Sequence, residues 1–220
     1  MLKGNLIITL LFLFPITITA QITPDETLIN SNQLKANNNI EVRIGLMTKF
    51  TTENNISLRG VAVRSSNKGL LGAVSYTRWL KNDLALTIFC GVLNVNADVL
   101  VAVGSVRTQS ATIIPFLFGV KYEPFELNSS DKVRTYITML IGPVFGDATN
   151  VIINNSVTTE SISETAFGSF LGVGVDISIS RLFMLGMRGG YYFVTDFKER
   201  VGFEKNYSSP EISASLGILF

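Results

Sequence analysis

Between Ile40 and Met47 the side chains Ile40, Val42, Ile44 and Leu46 alternate with Glu41, Arg43, Gly45 and Met47. A period of two puts the two sets on opposite faces of a β-strand, where a helix would need 3.6. The pattern recurs. "GLLGAVSYTRWL" (69–80) and "DLALTIFCGVL" (83–93) flank a tight-turn composition at Lys81, Asn82 and Asp83. "TIIPFLFGVKY" (112–122) sets Ile114, Phe116, Phe118, Val120 and Tyr122 against Gly119 and Lys121, and "KVRTYITMLIGPVFG" (132–146) follows the polar connection "EPFELNSSD". "AFGSFLGVGVDISIS" (166–180) aligns Leu171, Val173, Val175, Ile177 and Ile179 against Gly172, Gly174, Asp176 and Ser178. "LFMLGMRGGYYF" (182–193) and "EISASLGILF" (211–220) complete a set of eight. Both faces of the third and fifth segments are mixed, which leaves their facing open.

The connections are 51–68, 81–82, 94–111, 123–131, 147–165, 181 and 194–210, so long and short alternate throughout. Segments of this length cross a bilayer as tilted strands of about 9–11 residues. An even number of antiparallel strands closes without a free edge, and a closed barrel is the only β architecture that hydrocarbon tolerates. The expected fold is all-β: an antiparallel up-and-down transmembrane barrel of eight strands. The apolar segment "DVLVAVGSV" (98–106) is unlike an ordinary loop. It extends its neighbouring strands, packs in the mouth, or pairs with "SLRGVAVRS" to make a ten-stranded alternative.

Composition agrees with this class. Hydrophobic residues make up 47% of the chain and mean hydropathy is +0.36, yet beyond the first 20 residues no apolar run approaches the ~20 that a membrane helix needs. "MLKGNLIITLLFLFPITITAQ" has the layout of a cleaved signal peptide: Lys3, an apolar stretch from Leu6 to Phe14, and "ITA" before Gln21. The expected organisation is a signal peptide at 1–20, a periplasmic segment at 21–38 and a barrel at 39–220. Lys and Arg number 18 and Asp and Glu 17; without Lys3 the charges balance, which does not suit a nucleic-acid partner. Cys90 is the single cysteine, so no internal disulfide forms.

By parity Glu41, Arg43, Lys49, Lys121, Asp176, Arg188 and Glu211 face the barrel interior, where they pair and fill space. Trp79, Tyr122 and Phe220 fall near one rim, and Phe50, Phe145, Tyr191 and Phe193 near the other, as girdles at the two membrane surfaces. The chain has no His, which removes the usual catalytic base and the commonest metal ligand. No phosphate-binding glycine loop opens a helix, so neither an enzyme nor a cofactor or metal site is expected.

The leader, the eight alternating segments, the long–short connections and the last strand together resemble the small outer-membrane β-barrels of the OmpA/OmpX/OmpW-like superfamily. "LGVGVDISISRLFMLGMRGGYYF" is similar in particular to Bacteroidota-type outer-membrane barrel domains. The resemblance implies a Gram-negative outer-membrane location among lipid and lipopolysaccharide. It also implies delivery by the outer-membrane assembly machinery, which reads a terminal strand of this kind through Ile212, Leu216, Ile218 and Phe220. The implied role is structural, or contact with a surface partner through the external loops. The alternatives are a narrow OmpW-like conduit and a soluble periplasmic lipocalin-like binding barrel, whose oily face would point inward.

Overall fold

In the computed structural model the described residues are 38–48, 62–64, 68–81, 83–101, 105–124, 132–154, 156–202 and 204–220. They form nine strands: β1 (Asn38–Thr48), β2 (Ala62–Arg64), β3 (Lys68–Trp79), β4 (Leu84–Val101), β5 (Ser105–Tyr122), β6 (Val133–Asn154), β7 (Ser156–Ser178), β8 (Phe183–Val194) and β9 (Ser209–Leu219). The expected signal peptide (1–20) and the segment from 21 to 37 lie outside the described residues.

Eight of the strands are staves of a closed ring, and every neighbouring pair is antiparallel. The order runs β1, β3, β4, β5, β6, β7, β8, β9 and back to β1, with the β4–β5 ladder joining what would otherwise be two ends of a sheet. Asn38 and Phe220 exchange backbone hydrogen bonds of 3.1 and 3.0 Å across the β1–β9 seam. Over the height that all eight staves share, closure pairs each stave with a neighbour on both sides, as a bilayer demands.

The register fixes the tilt. Followed once around, Asn38 leads through Arg78, Leu86, Val120, Met139, Leu171 and Tyr191 to Pro210. Pro210 lies one position beyond the Glu211–Met47 pair and so stands beside Thr48. From Asn38 to Thr48 the circuit is displaced by ten residues. At ~3.3 Å per residue and ~4.8 Å between strands, that displacement over eight staves inclines them by about 40°.

β2 is not a stave. It pairs with the upper part of β4, Ala62 against Leu100 and Arg64 against Asp98. The segments "SLRGVAVRS" and 98–106 therefore do meet, but outside the ring, and the ten-stranded alternative is not what forms. Two of the expected loops are also strand. β4 and β5 stay paired to Val101–Ser105, and β6 and β7 to Asn154–Ser156. Val in 98–106, and Val, Ile and Thr in 151–162, favour extended backbone.

Candidate functional site

Facing is the chemical fact on which the barrel's surfaces depend. On β1, Val42 is 58% exposed while Glu41 and Arg43, on either side of it, are at 0% and 1%. The same alternation runs round the ring: Val74, Ile88, Phe118, Met139, Val173, Met187 and Leu216 are all exposed, one from each remaining stave. The open question of the third and fifth segments is answered by the same parity. Leu86, Ile88 and Val92 of β4 and Ile137, Met139 and Ile141 of β6 face out, while Thr87, Phe89, Thr138 and Leu140 face in. At the observed tilt a residue climbs ~2.5 Å, so the outward row of β8 from Phe183 to Phe193 spans about 25 Å, the height of a hydrocarbon core. A soluble lipocalin-like barrel requires the opposite facing.

Inside, Glu41, Arg43, Lys121, Asp176, Arg188 and Glu211 are all buried. Three acids meet three cations, so the buried charge sums to zero. Glu41 is the hub: Lys121 Nζ lies 2.6 Å from Oε1 and Arg43 Nη2 2.5 Å from Oε2, with Asn39 Nδ2 and Ser215 Oγ also donating to it. Lys121 reaches on to Asp176 at 3.6 Å and lies over the Tyr136 ring. Arg43 Nη1 donates to Ser213 Oγ, which donates to Glu211, and Glu211 receives Arg188 Nη2 through both oxygens at 2.8 and 3.0 Å. Burying a charge is tolerable only when it is paired and hydrogen-bonded in this way. Lys49 lies outside the described residues.

Toward the long-loop end the interior becomes apolar. Arg188 marks the boundary, its guanidinium 4.2 Å from the centre of the Phe170 ring and 5.1 Å from that of Phe89. Beyond it Leu71, Leu93, Ile113, Leu117, Leu140, Val144 and Tyr192 pack together. Inward-facing Gly172 gives Phe170 its place, since a Cβ there would stand 2.7 Å from the ring.

The β8–β9 connection, legible in the sequence only as one of the long connections, closes this end. Its charged residues Lys198, Glu199, Arg200 and Lys205 are exposed, but Phe197, Val201 and Tyr207 turn inward and join the apolar core. Phe197 N donates to Lys205 O, Val201 N to Glu204 O, and the Tyr207 hydroxyl to Val201 O. Gly146 on β6 leaves the space, since a Cβ there would meet Phe197 and Val201 at 3.0 Å, and Gly202 makes the reversal at φ +70°. Burial pushes the Tyr207 phenol up to about 12. Composition hid this cap, because Phe197, Val201 and Tyr207 stand at spacings of four and six among six polar residues and keep neither the strand nor the helix period.

One girdle assignment is corrected. Trp79 shares the inward register of Ser75 and Thr77 and is only partly exposed, its indole 4.0 Å from the guanidinium of Arg134, which pairs with Glu123 at 2.9 Å. The Arg134 cation holds the ring by its face. Tyr122, Phe220, Phe145, Tyr191 and Phe193 are exposed near the two rims, with the Tyr191 and Phe193 rings tilted against each other, centroids 4.7 Å apart. Phe50 lies outside the described residues. Ile212, Leu216, Ile218 and Phe220 form an exposed outward row along β9.

A closed antiparallel ring with an unbroken oily exterior and a neutral ionic interior is a transmembrane β-barrel. In sequence the chain matches neither a protein-family model nor a curated protein. In structure it is similar to small outer-membrane barrels. Neisserial surface protein A aligns at 15% identity over 84% of this chain and 97% of its own, with a TM-score of 0.48. Ail, the attachment invasion locus protein of Yersinia pestis, aligns in its complex with the heparin analogue sucrose octasulfate at 13% identity, over 83% and 99%, with a TM-score of 0.49. Outer Membrane Protein W of E. coli aligns at 15% over 84% and 98%, with a TM-score of 0.43. The barrel's own register and facing, rather than these likenesses, define its class.

Proposed function

We propose that this chain is a non-enzymatic outer-membrane barrel whose raised sheet meets a partner at the cell surface. The observation that carries the reading is the continuation of β4, β5, β6 and β7 past the oily belt. β5 stays paired with β6 as far as Val106 and Ile153, and β2 adds to the β4 side. β7 pairs with β8 only from Gly168 onward, so among the described residues the stretch Ser156–Ala166 is hydrogen-bonded to β6 alone. An extended partner segment can add to a free edge of that kind through main-chain hydrogen bonds. The ionic network, the apolar packing and the Phe197–Val201–Tyr207 cap occupy the lumen, which supports a closed scaffold over a conduit.

In this reading lipid covers the belt, lipopolysaccharide surrounds the raised end, and the assembly machinery meets the outward row Ile212, Leu216, Ile218 and Phe220. Two measurements test it. In a Cys90→Ser background, Thr159→Cys is expected to react with a membrane-impermeant maleimide on intact cells, and Lys81→Cys only after permeabilisation; the reverse order overturns the orientation. In planar bilayers the purified barrel is expected to pass no stepwise current, and a steady unitary conductance would favour the conduit.

A further inference from the structure

The short-turn end carries cations that neither the lumen nor the cap uses. Arg78 stands on the outward register of β3, immediately past Tyr76, and is exposed. Lys81 lies on the β3–β4 turn beside Leu80, which is 52% exposed, and Arg181 on the β7–β8 turn beside Leu182, which is 58% exposed. The two turns are on opposite sides of the ring, separated by β5 and β6 one way and by β9 and β1 the other. Asp83 is the one exposed acid on these turns, and none of the three cations forms an ion pair among the described residues.

Each cation thus sits next to an oily side chain at the lower edge of the belt. A free anion has no use for Leu80 or Leu182. A phospholipid does, because its acyl chain lies along the belt while its phosphate stands level with the turn. Cations with flexible apolar stems at this depth extend toward headgroups.

We propose that Arg78, Lys81 and Arg181 form a collar that selects anionic phospholipid headgroups around the short-turn end of the barrel. The proposal rests on the membrane reading above and names the lipid class that reading leaves open. Lys or Arg near an anionic lipid surface changes association roughly five-fold per charge and is screened by salt.

The test is native mass spectrometry of the full barrel in neutral detergent, titrated with phosphatidylglycerol or with phosphatidylcholine of the same chains. The wild type is expected to retain phosphatidylglycerol preferentially, by at least roughly ten-fold for the three charges together, and to lose the preference in high salt. The Arg78→Gln/Lys81→Gln/Arg181→Gln variant is expected to bind the two lipids alike, whereas Lys198→Gln/Arg200→Gln/Lys205→Gln, at the opposite end, keeps the wild-type preference. If the triple variant fails to fold, Lys81→Gln/Arg181→Gln, altered only in turns, is expected to show an intermediate preference. A heat-modifiable barrel with no preference, a full preference that survives in the collar variants, or displacement of the lipid by inorganic phosphate but not by chloride at the same ionic strength would overturn the collar alone. A chain that stays monodisperse without detergent would overturn the membrane reading and the collar together.

Discussion

Two residues one position apart on β9 state the chemistry of the wall. Leu216 faces out and Ser215 faces in toward Glu41, although both belong to one short alternating run. A Leu216→Arg change places an ion against hydrocarbon, at a cost of ~2–4 kcal/mol near the midplane, while Ser215→Arg enters a polar interior. Leu216→Arg is expected to lower the heat-modifiable folded fraction far more than Ser215→Arg on an unboiled gel; equal losses would show the facing to be wrong. Glu41 holds two cations at once. Glu41→Gln leaves Lys121 and Arg43 competing for acceptors, and breaking a buried pair in this way costs about 3–5 kcal/mol. The midpoint of urea unfolding in detergent should fall accordingly, and Glu41→Gln/Lys121→Met should recover part of the loss. Parity alone placed Glu41, Arg43, Lys121, Asp176, Arg188 and Glu211 inside, because a single wrongly facing charge is so costly in lipid. Their partners were not legible: Lys121 and Glu41 are 80 positions apart, and only the ring's register brings them together.

The staves were readable wherever lipid enforced alternation, and unreadable where it did not. β1, β8 and β9 each bury every second residue along nearly their whole length, so period two marks them in the sequence. β6 and β7 run 22 and 23 residues, but only the part within the belt separates oily from polar faces. In the sequence above it the alternation stops, and only β-branched composition remains to signal strand. The cap was hidden for a related reason, since Phe197, Val201 and Tyr207 are buried by the barrel mouth and not by any period of their own. Its latch makes a pH prediction. The Tyr207 phenol ionises near 12 when folded against a usual value of 10.0, so the folded cap binds the extra proton between those values. The stabilisation is fully present below pH 10 and is lost as pH rises toward 12. A protease that stays active at alkaline pH, such as subtilisin, should therefore cut within 198–206 more readily when the digestion is run at about pH 10 to 11 than at about pH 8, relative to an unfolded control substrate. Tyr207→Phe, which loses the hydrogen bond to Val201 O at a cost of ~1 kcal/mol, should be cut faster at neutral pH and lack the alkaline rise. An unchanged alkaline rise in Tyr207→Phe would assign it to another group.

Taken whole, the molecule inverts the arrangement of a soluble barrel: its ions meet each other in the middle and its oily side chains meet the surroundings. Closure with a ten-residue displacement, a belt about 25 Å tall and a charge-balanced interior all follow from one alternating pattern repeated eight times. The raised sheet and the cap then distinguish one end of the barrel from the other. The most direct test asks whether the exterior touches acyl chains. Trp79 is the only tryptophan, so a Trp79→Phe background can carry single reporters at Ile44→Trp, Val173→Trp, Leu216→Trp and Thr159→Trp. In bilayers of lipids brominated along their chains, emission should be strongly quenched at positions 44, 173 and 216 and unaffected at 159. Unquenched emission at all four positions from a folded barrel would contradict the account.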